Sequence, residues 1–139
     1  MKQTIGEWGE EQACSFLVRN NYKIICRNYR YKKTEIDIVA KDESGVLCFV
    51  EVKTRVCRTW EDQNKIDEIT PEAEFDGSAE RADNHKKQLL IKNTAILYCL
   101  ENKIDIDNTR MKLEHISVYV RKDLKSANIK KFLLSVDRR

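Results

Sequence analysis

The sequence lacks several features that would place it in a specialised class of protein. No apolar run approaches the roughly 20 residues that a membrane-spanning helix needs. The 139 residues include five cysteines, which form no C-x-x-C pair and are odd in number; this argues against a zinc site or a disulfide framework. With an apolar fraction of 41% and a charged fraction of 35%, the chain is predicted to be one soluble, cytoplasmic domain spanning residues 1–139, with reduced thiols and no membrane partner.

Charge is distributed unevenly along the chain. Residues 60–80 carry eight acidic side chains and one lysine, a net charge of −7, so the rest of a chain whose total is +3 carries +10. This distribution predicts a basic body that attracts phosphates, with an acidic segment attached. Residues 56–80 show no periodicity and contain the only proline, Pro71. We expect a mobile acidic loop there, acting either as an electrostatic gate or as an insertion without a role.

Hydrophobic periodicity predicts the element order α-β-β-β-α-β, an α/β fold in which helices flank a mixed sheet. Helices are predicted over 2–20 and 80–101, and strands over 22–30, 35–40, 46–53 and 111–120. The pattern over 123–135 is weaker and favours a terminal helix.

Ionisable side chains interrupt two of the apolar strands. Asp37 lies in the second strand, and Glu51 and Lys53 share one side of the third strand with Leu47 and Phe49. A buried charge is costly unless it is paired or binds a metal, so this arrangement predicts a divalent-metal site with a lysine beside it. The alternative is a solvated salt-bridge ladder; against it, the third strand is apolar on both faces, whereas a half-exposed strand alternates.

The first helix supplies a further acidic candidate. On a 3.6-residue wheel Glu10 falls within the apolar face, on the same side as Gly6 and Gly9. Each glycine costs a helix about 1 kcal/mol relative to alanine, which suggests that the helix backbone approaches the sheet closely. Glu10 is therefore a candidate ligand presented from the helix.

An ordered set of motifs resembles a known family. The motifs are Gly6-x-x-Gly9-Glu10, Glu35-Ile36-Asp37 and Phe49-Val50-Glu51-Val52-Lys53-x-Arg55. Together they resemble the YraN family, small bacterial proteins similar to archaeal Holliday-junction resolvases within the PD-(D/E)XK nuclease superfamily. The resemblance implies a restriction-endonuclease-like core and a metal-dependent endonuclease that hydrolyses phosphodiester bonds in structured, branched DNA. A non-catalytic nucleic-acid-binding or scaffolding module with the same fold is the alternative, and a homodimer is an assembly compatible with the resemblance.

The resemblance also implies residue roles. Asp37 and Glu51, with the Val52 carbonyl, would bind Mg²⁺ or Mn²⁺, and Glu10 would complete the acidic cluster. Lys53 would position or deprotonate the attacking water, or offset charge on the phosphate. The expected supporting residues, which would orient the site or contact phosphate, are Glu35, Arg55 and Lys87.

Overall fold

The computed structural model describes residues 3–56, 78–120 and 127–137. The helices are α1 (Ile5–Arg19) and α2 (Ser78–Glu101), and a short 3₁₀ helix spans Ile106–Asn108. The strands are β1 (Lys23–Tyr31), β2 (Thr34–Lys41), β3 (Leu47–Val56), β4 (Met111–Val120) and β5 (Ala127–Asp137). The predicted order α-β-β-β-α-β is confirmed. The expected mobile loop at 56–80 lies mostly outside the described residues, and its predicted mobility stays a prediction.

One mixed sheet contains the five described strands in the order β1-β2-β3-β4-β5. The pairs β1–β2, β2–β3 and β4–β5 are antiparallel, whereas β3 and β4 are parallel. A parallel pair needs a crossover connection, and α2 lies in the chain that joins β3 to β4. The central position of β3 explains why its sequence is apolar on both faces.

The helix predicted over 123–135 is wrong, because residues 127–137 form β5. Pairing with β5 satisfies the outer edge of β4, whose backbone groups would otherwise lack partners. Side chains of β5 alternate as the pairing requires: Lys131 reaches Glu114 on one face, while the Phe132 ring stacks on His115 on the other. Tertiary pairing therefore overrides a weak local pattern.

Each helix covers one face of the sheet. On the first face Ala13 and Leu17 of α1 pack with Cys48 and Val50. On the opposite face α2 packs its buried residues against Leu47 and Phe49, which confirms the predicted alternation along the start of β3. In the described part of the chain, neither helix combines the length and apolarity that a bilayer crossing requires.

Four of the cysteines are free thiols in the core or at its margin. Cys48 and Cys99 are buried, whereas Cys14 and Cys26 are half-buried; Cys57 lies outside the described residues. Burial raises the pKa of Cys48 to about 12, so its thiol stays protonated and is a poor nucleophile or metal ligand. These four cysteines fit the predicted role of small apolar core residues.

A buried polar network joins the strands on the α1 face. Glu114, with only 2% of its area exposed, accepts hydrogen bonds from the Tyr22 hydroxyl and from Lys131 Nζ at 2.6 Å. Lys112 Nζ donates to Asp42 Oδ2 at 2.9 Å and lies 3.8 Å from Glu114 Oε1. Two ammonium groups thus neutralise two carboxylates, which makes this network a structural clamp.

Candidate metal centre

The side-chain alternation of β2 changes at Asp37. Ile36 packs in the α2-side core and Ile38 in the α1-side core, although residues two apart in a regular strand share a face. On the paired strand β1, Asn28 has a φ of 57° and stands between the residues that pair with Ile38 and Ile36. Matching irregularities in the two strands therefore redirect the side chains around Asp37.

The strands β2 and β3 separate at the same point. Their described pairing ends at Ile38 and Val50, and beyond it the Asp37 Oδ2 atom accepts a hydrogen bond of 2.7 Å from the Val52 N–H. The carboxylate replaces a backbone carbonyl as the partner of that N–H. Asp37 is consequently held at the opening between the two strands.

Three carboxylates converge at this opening. Glu10 from α1 and Glu35 and Asp37 from β2 each place a carboxylate oxygen within 4.8 Å of the other two, and we call them the carboxylate trio. All three residues are half-buried. Carboxylate oxygens are the ligands that Mg²⁺ and Mn²⁺ prefer, so the chemistry of the trio fits such a cation.

The trio is electrostatically strained. Burial is the main reason that the pKa of Asp37 rises to about 7, and the carboxylates of Glu10, Glu51 and Glu35 raise it further, against the stabilising Val52 N–H. Burial also raises the pKa of Glu10; Arg27 opposes that increase and Glu35 adds to it. A divalent cation would favour the ionised form of each group.

Two arginines from β1 border the trio. Arg30 Nη2 lies 2.6 Å from Glu35 Oε2, and Arg27 Nη2 lies 3.8 Å from Glu10 Oε2. Neither arginine was predicted from the sequence as part of the site. The pairing of Arg30 with Glu35 depends on a two-residue turn at 32–33, and the Lys-Lys sequence of that turn is not one that predicts a hairpin.

The other predicted site residues lie along β3 and α2. Glu51 does not join the trio: its carboxylate forms an ion pair with Lys87 of α2, although it is near enough to raise the pKa of Asp37. Val52 contributes the N–H bonded to Asp37. Lys53 and Arg55 are exposed on β3. The catalytic and phosphate-binding roles of these residues stay predictions.

Close packing of α1 on β3 brings Glu10 to the site. A Cβ atom on Gly9 would lie 1.8 Å from Thr54 Oγ1, so only glycine allows the helix backbone to approach β3 at this point. The predicted close approach is confirmed for Gly9. It is wrong for Gly6, which is exposed and whose added Cβ would meet only Thr4 Oγ1, at 3.9 Å.

Comparison with known proteins finds one family. The sequence model of the family described as "Uncharacterised protein family UPF0102" matches residues 9–123 of this chain. The UPF0102 protein of Prosthecochloris aestuarii is 37% identical over 103 residues, covering 74% of this chain and 68% of the relative. A UPF0102 protein of Chlorobium phaeobacteroides is 36% identical over 115 residues, covering 83% and 85%. One from Symbiobacterium thermophilum is 53% identical over 55 residues, which is 40% of this chain and 46% of the relative.

Proposed function

We propose that this chain, which belongs to the uncharacterised protein family UPF0102, is a metal-dependent endonuclease that hydrolyses phosphodiester bonds in structured, branched DNA. The observation that carries this proposal is the carboxylate trio, which a helix and a strand assemble at the opening between β2 and β3. The trio contains residues of two of the motifs that resemble the YraN family, and the Val52 N–H of the third motif bonds to Asp37. The choice of DNA as substrate depends on that resemblance and on the basic body of the chain.

Residues of the trio, together with Glu51, would hold Mg²⁺ or Mn²⁺. Bound there, the cation would polarise a phosphoryl oxygen and lower the pKa of a water molecule. Glu51 lies on β3, the strand next to the one that carries Asp37. Its ion pair with Lys87 balances the negative charge of its carboxylate.

Basic residues outside the carboxylate trio would act on the phosphate and on the attacking water. Lys53 follows Glu51 by two positions on β3 and is exposed, so its ammonium group is accessible to a DNA phosphate. It would orient the attacking water or stabilise charge that develops on the phosphate. Arg55 and Lys87 would hold the DNA backbone by charge-assisted hydrogen bonds.

Metal binding tests the proposal most directly. We expect Mn²⁺ to raise the melting temperature of the wild-type protein and to leave that of Asp37→Asn unchanged, because the variant loses the carboxylate that the Val52 N–H holds at the opening between β2 and β3. Glu43→Gln is the matched control: it removes a carboxylate from the exposed β2–β3 turn and should keep the full Mn²⁺ effect. Equal Mn²⁺-induced shifts in the wild type and in Asp37→Asn would exclude the site.

A non-catalytic nucleic-acid-binding or scaffolding module is the second candidate, and one observation favours it. Cationic side chains of the chain itself, Arg27, Arg30 and Lys87, already accompany Glu10, Glu35 and Glu51, as in a site that needs no metal. This candidate would be supported if purified wild type bound DNA but cut no linear, flapped or four-way substrate with Mg²⁺ or Mn²⁺.

A further inference from the structure

Two arginines of β1 face the trio because of one local irregularity. Arg27 and Tyr29 would share a face in a regular strand, but Arg27 approaches Glu10 of α1 while Tyr29 packs in the α2-side core. The change occurs at Asn28, whose φ is 57°. Arg30 then lies opposite Glu35 in the β1–β2 pairing. Both guanidinium groups are thereby placed at the border of the trio; we call Arg27 and Arg30 the arginine pair.

The arginine pair is accessible from solvent, unlike the carboxylates that it contacts. The side chains of Arg27 and Arg30 are 38% and 69% exposed, whereas those of Glu10 and Glu35 are 21% and 29% exposed. Ion pairs with so exposed a partner contribute little to stability. The guanidinium groups can therefore leave their carboxylates at low cost while remaining beside the trio.

Charge at the site becomes positive when a divalent cation binds. Three carboxylates and two guanidinium groups sum to −1 when every carboxylate is ionised, and a divalent cation held by the ionised trio would bring the sum to +1. A carboxylate that binds a divalent cation attracts a guanidinium group less strongly, because the cation offsets its negative charge. A guanidinium group binds phosphate with the same bidentate geometry that it uses for a carboxylate.

The surroundings of the arginine pair also suit a polyanion. Lys32 and Lys33 occupy the exposed turn that follows β1, and the Lys32 ammonium lies 5.5 Å from the centre of the Tyr31 ring. β1 is an edge strand of the sheet. A phosphate backbone that approached the trio along this edge would meet four basic side chains, in an interface without base contacts.

We propose that the arginine pair is an exchangeable counterion: it holds Glu10 and Glu35 when no divalent cation is bound, and it turns to a nucleic-acid phosphate when the cation takes these carboxylates. Cation binding and DNA binding are then positively coupled, and by linkage each tightens the other by the same factor. This inference rests on the proposed function, because it needs a cation in the trio.

The test measures two affinities and needs no cleavage. Calorimetry gives the affinity of the protein for Ca²⁺, a cation with the same preference for oxygen ligands, and the anisotropy of a labelled DNA duplex gives DNA affinity with and without Ca²⁺. For the wild type we expect Ca²⁺ to tighten DNA binding about tenfold. In the Arg27→Gln/Arg30→Gln variant we expect tighter Ca²⁺ binding, unchanged DNA affinity without Ca²⁺, and loss of the coupling.

Lys33→Gln is the matched control, because it removes one positive charge from the same hairpin at an exposed position. It should weaken DNA binding equally with and without Ca²⁺ and leave the coupling intact. Arg30→Lys, which keeps the charge and loses the planar donor geometry, should retain part of the coupling. Melting temperatures near that of the wild type would show that the variants are folded.

The possible failures can be told apart. If wild-type protein binds neither Ca²⁺ nor Mn²⁺, the metal site of the proposed function is wrong, and this inference falls with it. If the wild type binds the cation but the arginine variant keeps the tenfold coupling, only the exchange is overturned. A variant that loses DNA affinity equally with and without Ca²⁺ would likewise overturn the exchange, because the arginines would then contact phosphate at all times.

Discussion

Asp37 combines features that oppose one another. Burial and three neighbouring carboxylates raise its pKa to about 7, while the Val52 N–H favours the ionised form. Such a group weakens the fold when it is ionised, yet the geometry of β2 and β3 holds it in place. Groups with this kind of perturbation concentrate at functional sites, which agrees with the proposed role of Asp37 as a metal ligand.

The raised pKa of Asp37 predicts how stability varies with pH. Between about pH 4 and pH 7 the folded protein keeps a proton that the unfolded chain releases, so the free energy of unfolding falls as pH rises through this window. Since the pKa rises from 3.8 to about 7, the loss is on the order of 4 kcal/mol. Asp37→Asn removes it, and without metal the variant should melt roughly 5 °C or more above the wild type at pH 7.5. Thermal melts from pH 4 to pH 8 measure the effect.

Asp42→Asn provides a control of opposite sign. Burial would raise the pKa of Asp42, but hydrogen bonds from Lys112 and from the Val46 N–H lower it below the ordinary value. Ionised Asp42 therefore stabilises the fold at neutral pH, and this contribution is lost as pH falls. Asp42→Asn should melt below the wild type at pH 7.5. If both substitutions shifted the melting temperature in the same direction, the electrostatic explanation would fail.

Lys53 distinguishes an enzyme from a binding protein. Its ammonium group is exposed on β3, two positions beyond Glu51, and cannot ligate a cation. Lys53→Ala should leave Mn²⁺ binding nearly intact, weaken DNA binding modestly and reduce cleavage by about 10²-fold or more. Cleavage rates at saturating Mn²⁺ measure this, with Lys41→Ala, at the exposed last position of β2, as the control. Cleavage at the wild-type level in Lys53→Ala would mean a contaminating nuclease or a different site.

Individual residues of the site were predictable from the sequence only where a charged side chain interrupts an apolar strand or an apolar helix face. Asp37 and Glu51 are charged groups in apolar strands, and Glu10 interrupts an apolar helix face, so the sequence indicates all three. The place of Glu35 within 4.8 Å of Glu10, and the arginine pair beside it, depend on a change of alternation at Asn28 and Asp37. A periodic pattern assumes a regular strand and cannot show such a change.

Among the elements, α1 has the tightest structural requirement. Its backbone touches β3 at Gly9, where a methyl group would overlap Thr54. Gly9→Ala should lower the free energy of unfolding by about 1–3 kcal/mol, and because α1 must move away from the sheet, it should also weaken Mn²⁺ binding by displacing Glu10. Urea denaturation and calorimetry measure the two effects.

Gly6→Ala is the matched substitution on the same helix. Gly6 is exposed and has open space around it, so alanine should stabilise α1 by up to about 1 kcal/mol and leave Mn²⁺ binding unchanged. If Gly9→Ala and Gly6→Ala both raised or both lowered the free energy of unfolding, the close contact at Gly9 would be contradicted.

The elements themselves were predictable wherever the hydrophobic period is strong. The predicted bounds of α1, α2 and the first four strands lie within three residues of those observed. β5 was not predictable, because its residues become a strand through pairing with β4 and not through a pattern of their own. A short stretch of sequence does not show which distant strand it will pair with, so a local pattern could not predict β5.

At the scale of the whole molecule, the distribution of charge determines how DNA binding should depend on salt. The +10 carried outside residues 60–80 and the exposed basic edge at β1 predict that DNA binding is dominated by phosphate contacts. The logarithm of the binding constant should then fall linearly with the logarithm of salt concentration, by about 0.9 for each phosphate neutralised on a duplex. Arg27→Gln/Arg30→Gln should reduce this slope in the presence of Ca²⁺, and a four-way junction should bind more tightly than a linear duplex. Affinity that is indifferent to salt, or absent at low salt, would favour the scaffolding module, since a surface that holds DNA by phosphate contacts must release counterions when it binds.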